Sequence, residues 1–75
     1  MKEKIVELLS QIGIATSNNG NIVNLDSINF IRLIVSLEQE FLITIEDEYF
    51  RIDYFLNIDS IVFIVEKHLQ SKNKE

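Results

Sequence analysis

Residues 26–41 read DSINFIRLIVSLEQEF. Stepped at about 100° per residue, Phe30, Leu33, Ile34, Leu37 and Phe41 fall on one face. Ile28 and Val35 point furthest from it, next to Arg32 and Gln39. Asp26 stands just ahead of the periodic run, where its carboxylate can cap the first turn of a helix. The stretch is therefore an amphipathic helix whose apolar face needs partners.

The rest of the chain supplies them. Ile5, Leu8, Leu9 and Ile12 repeat at helical spacing from Lys2, and Gly13 is a natural stop. The polar run TSNNGNIVN at 16–24 reads as a loop, with Ile14, Ile22 and Val23 expected to pin it to the core. After Phe41, Ile43 and Ile45 alternate with polar residues. A lone strand would have no partner here, so we expect an extended loop. Glu46, Asp47 and Glu48 favour the first turn of a short helix reaching Phe50 or slightly beyond. The next stretch, RIDYFL, fits no single period, and Ile52, Tyr54, Phe55 and Leu56 are expected to cap the core. Asn57 suits the start of a last helix running to about Gln70, with Ile58, Ile61, Val62, Val65 and Leu69 inward and Phe63 outward. The tail SKNKE at 71–75 should fray. The predicted fold is all-α: a small bundle of three main helices plus one short helix, forming one domain over residues 1–75.

Composition narrows the function. Hydrophobic residues make up 47% of the chain, enough for a packed core in a domain this small. There is no Cys, which excludes disulfides, a thiol nucleophile and thiolate metal sites. The net charge is −5, and the few Lys and Arg form no basic stripe, so no nucleic-acid partner is expected. No apolar run reaches membrane-spanning length, so membrane insertion is not expected. The opening MKEKIVELL carries no secretory cleavage pattern, and we expect a soluble cytoplasmic monomer.

One short motif occurs twice, as NLDSINF at 24–30 and NIDSIVF at 57–63. Asp and Ser commonly open helices, so each copy has a purely structural reading. Their surroundings differ. Ser60 falls inside the last helix, whereas Ser27 begins a long helix after a polar loop. From Leu25 to Glu48 the sequence reads LDSINFIRLIVSLEQEFLITIEDE. Asp26-Ser27-Ile28, then Leu37-Glu38-Gln39-Glu40-Phe41, then Ile43-Thr44-Ile45 with Glu46 and Asp47, in that order, resembles the acyl carrier protein family with its peptidyl and D-alanyl carrier relatives. The likeness extends over almost the whole chain.

The resemblance implies a carrier rather than an enzyme. Ser27 would bear a covalent 4′-phosphopantetheine arm holding acyl intermediates as a thioester, and Asp26 would support the modification. Implied partners are a phosphopantetheinyl transferase and the acyl-loading and acyl-transfer enzymes of fatty-acid or polyketide-type biosynthesis. Aminoacyl, peptidyl or D-alanyl carriage in a dedicated pathway is the alternative. Ile28, Ile31, Arg32, Val35 and Glu38 are the expected partner-binding surface. Asn29 and Arg32 stand where carriers of bacterial fatty-acid synthesis usually have acidic residues, which favours a specialised partner. Two other classes stay open at this point. One is an unmodified helical interaction module. The other is a small enzyme built on Glu46, Asp47 and Glu48, although these suit a solvated helix start better. His68 has no spaced partner for a metal, and a surface or helix-end role is expected for it.

Overall fold

A computed structural model of the chain describes residues 1–23 and 25–73, with side chains through Ser71. Three helices form an all-α bundle: α1 (Lys2–Gln11), α2 (Ser27–Phe41) and α3 (Ile58–Asn73). α1 buries Ile5, Leu8 and Leu9, and α2 buries Leu33, Ile34 and Leu37. α3 contributes Ile58, Ile61, Ile64 and Val65, so its inner stripe is wider than its spacing suggested and includes Ile64. Phe30, Phe41, Val62 and Leu69 are half-buried against this core. α3 packs against α1 and α2. It continues past the expected end near Gln70 to Asn73, so Ser71–Asn73 are helical. Lys74 and Glu75, the end of the tail predicted to fray, lie outside the described residues, as does Asn24 of the first motif copy.

Gly13 closes α1 as its sequence position implied. Its φ of 80° is open to glycine at little cost. The Gly13 N–H donates to Ser10 O and the Ile14 N–H to Leu9 O, which occupies two terminal carbonyls and folds buried Ile14 back over Leu9. The following loop turns at Ser17–Asn21 and returns through an isolated antiparallel bridge between Thr16 and Ile22. Ile14 and Ile22 are buried, but Val23 is exposed and does not pin the loop as expected. The anchor is instead the start of α3. The Ile22 N–H donates to Leu56 O, the Ile58 N–H to Gly20 O, and the Asn57 side-chain amide to Asn21 Oδ1 at 2.8 Å.

The connection from α2 to α3 departs most from expectation. Residues 43–46 form a loop with neither helix nor strand, with extended backbone at Glu46 and with Ile43 and Ile45 buried. The single short helix is replaced by two 3-10 turns, Asp47–Tyr49 and Ile52–Phe55, separated by extended backbone at Arg51. The break has a packing cause. Tyr49 stacks edge-on to His68, while Phe55 meets the edge of Phe30. Six positions apart, these two rings would lie about 120° apart on a continuous helix and could not both face the core. Of the four residues expected to cap the core here, Phe55 is fully buried and Ile52 half-buried, whereas Tyr54 and Leu56 are exposed.

His68 is also corrected. It is not on the surface but buried in α3. Its Nδ1–H donates to Ile64 O at 2.8 Å, and its Nε2 accepts the Glu46 N–H at 3.3 Å. Both ring nitrogens are thereby occupied, as burial of a polar ring requires.

Candidate functional site at the start of α2

Ser27 is the first residue of α2 and is exposed. Asp26 immediately before it is the cap: its backbone is extended, and its Oδ1 accepts the Asn29 N–H at 2.8 Å. The Phe30 N–H donates to Asp26 O, so the first turn is firmly closed. The capping bond leaves the Ser27 hydroxyl free of that duty and leaves the N–H groups of Ser27 and Ile28 without intrahelical partners. Those groups and the positive end of the helix favour an anion at this point.

Beside Ser27 lies an open depression of about 500 Å³, walled by Phe30, Ile31, Phe50, Arg51, Ile52 and Asp53. Sequence reasoning missed its far wall. Residues 50–53 carry no periodic signal, and only the folding of the 3-10 connection against α2 brings them next to Ser27. The same connection, with α3, walls a second depression of about 490 Å³ that includes Ser60, Phe63 and Tyr54. Ser60 is exposed within α3. At the start of that helix Asn57 replaces the carboxylate cap, with its Oδ1 accepting the Asp59 N–H at 2.8 Å. The two motif copies are therefore built differently. The first ends a connection with a carboxylate cap, and the second uses its Asn to cap α3 and to hold the 16–23 loop.

The residues expected to meet partners divide into two groups. Ile28 and Ile31 are 72% and 61% exposed, and Val35 and Arg32 are exposed further along the same helix. Arg32 Nη1 donates to Asn29 Oδ1 at 3.4 Å. Glu38 turns inward instead: its Oε2 accepts the Ile45 N–H at 3.0 Å. Phe63 is 65% exposed, as its place outside the inner stripe of α3 implied. Among the described residues no three His, Asp or Glu side chains converge as metal ligands, and no helix is long and apolar enough to cross a membrane.

Fold and site together define a small three-helix bundle with an exposed serine, capped by the preceding aspartate, at the start of its second helix. Comparison of the chain with protein-family models, curated proteins and solved structures finds no match.

Proposed function

We propose that this chain is a carrier protein whose Ser27 bears 4′-phosphopantetheine. The observation that carries the reading is the exposed Ser27 at the anion-favouring start of α2, beside an apolar depression and directly after its Asp26 cap. The terminal thiol of the arm supplies thioester chemistry for acyl groups. Ser27 presents its hydroxyl for attack on the phosphoanhydride of coenzyme A, and the Oγ–P bond forms as the P–O bond to the nucleotide half breaks and that adenosine bisphosphate leaves. The proton leaves to a base of the transferase, because the one imidazole of this chain, His68, is buried with both nitrogens engaged. Asp26 holds the first turn in place, and the free N–H groups of Ser27 and Ile28 face the new phosphodiester charge. Phe30, Ile31, Phe50 and Ile52 offer an apolar wall for the arm. Ile28, Ile31 and Val35 form the exposed apolar face beside the attachment point, suited to partner enzymes. Arg32 on the same helix repels a basic partner surface and favours one with a matching carboxylate. The transfer partners are those of fatty-acid or polyketide-type synthesis, with aminoacyl, peptidyl or D-alanyl carriage as the alternative.

Treatment with a broad-specificity phosphopantetheinyl transferase and coenzyme A, followed by intact-mass measurement, tests the reading. Wild type and Ser60→Ala gain one arm, and Ser27→Ala gains none. An arm on Ser27→Ala overturns the assignment. A wild-type chain that never gains the arm favours the second reading, an unmodified module that docks through Ile28 and Ile31, whose exposure supports it.

A further inference from the structure

The depression beside Ser27 has one cation in its wall, Arg51. The chain has two arginines, Arg32 and Arg51, and its lysines fall near the two ends of the sequence. Arg51 is thus the cation of that wall, in a protein of net charge −5. Its backbone is extended between the two 3-10 turns, and the Tyr54 N–H donates to its carbonyl, so the main chain at this point is fixed. The guanidinium is held loosely by contrast. Nη2 lies 3.8 Å from Asp53 Oδ2, with the two side chains 65% and 76% exposed. Its Cζ lies 5.9 Å from the centre of the Tyr54 ring. An ion pair this long and this exposed contributes little and exchanges easily.

We propose that Arg51 is a positioning residue for an anion carried on Ser27. This rests on the reading of Ser27 as the attachment site. The guanidinium leaves Asp53 for the phosphodiester oxygens, whose geometry its planar fork matches better than a lysine would. That contact draws the first part of the arm along the wall formed by Phe30, Ile31, Phe50 and Ile52 instead of leaving it in solvent. Asp53 competes for the same guanidinium, so it sets how firmly the arm is held. No bond is made or broken in this exchange; one ion pair replaces another.

The test compares unloaded and loaded protein by nitrogen–proton correlation spectra, with loading confirmed by mass. In wild type, loading shifts the Arg51 Nε–H resonance and the backbone amides of Phe50 and Ile52. In Arg51→Gln, loading proceeds but most of the shift at Phe50 and Ile52 is lost. Arg51→Lys recovers part of it, and Asp53→Asn enlarges it. Lys67→Gln, on α3 and away from the depression, leaves the pattern at 50–53 unchanged. Equal loading shifts in wild type and Arg51→Gln, or equal losses in Arg51→Gln and Lys67→Gln, overturn the inference and leave the functional reading standing. A Ser27 that never gains the arm overturns the functional reading and the inference with it.

Discussion

Leu42 stands at φ 54°, in the left-handed region that glycine usually fills at the end of a helix. Its N–H still reaches Glu38 O, so the conformation closes α2 despite the cost of a Cβ there. The side chain is 71% exposed and buries little in return. Replacing it with glycine removes the strain but adds freedom to the unfolded chain. The strain is the larger effect, and Leu42→Gly should raise stability by about 0.5–1 kcal/mol. The midpoint of urea unfolding measures this. A lower midpoint would mean that the contacts of the Leu42 side chain outweigh the strain. Nothing in the periodicity of α2 marks this residue as special, because left-handed backbone is a property of the turn and not of leucine.

At the scale of elements, the stretch from Ile43 to Glu46 shows how a segment with neither helix nor strand is held against the core. Ile43 and Ile45 go into the core, which carries their backbone away from full solvation. Two adjacent donors then need acceptors. The Ile45 N–H is taken by Glu38 of α2 and the Glu46 N–H by His68 of α3. Side chains from two helices thus do what a neighbouring strand would do. Glu38→Ala leaves the part-buried Ile45 N–H unpaired and should cost about 1 kcal/mol, with faster hydrogen exchange at Ile45. Glu38→Gln keeps a carbonyl acceptor and should recover most of both. Equal losses in the two variants would show that the carboxylate charge, and not the hydrogen bond, holds the segment. Glu38 was legible as a polar residue away from the core face of α2, but its partner lies seven positions on and round a corner, beyond what a helical wheel describes.

For the molecule as a whole, the radius of gyration of 11.6 Å is close to the roughly 11 Å of a compact chain of this length. Phe55 is the largest fully buried side chain, with its ring centre 5.4 Å from that of Phe30. It joins the second 3-10 turn to Phe30 of α2, and the same turn packs against α3, so the far wall of the Ser27 depression is held in place. Phe55→Ala should cost about 3–5 kcal/mol, most of what so small a domain has to spare. Circular dichroism during thermal unfolding checks this, with a loss of cooperativity as the expected outcome. A melting curve matching wild type would show that the connection packs independently of this ring.

The three helices were legible in the sequence because each repeats its apolar residues at the helical period over eight or more positions. So were the cap at Asp26 and the stop at Gly13, whose roles depend on neighbours within four residues. The exposed place of Ser27 follows from those same local rules. Residues 49–55 were not legible. There the backbone yields to long-range packing, with Tyr49 directed to His68 and Phe55 to Phe30. His68 itself looked like a surface residue because its burial depends on a backbone donor twenty-two positions away. Local pattern determined which segments are helices and where they begin. Only the tertiary structure decided what faces Ser27, because Phe50, Arg51, Ile52 and Asp53 reach it through contacts that no spacing along the chain encodes.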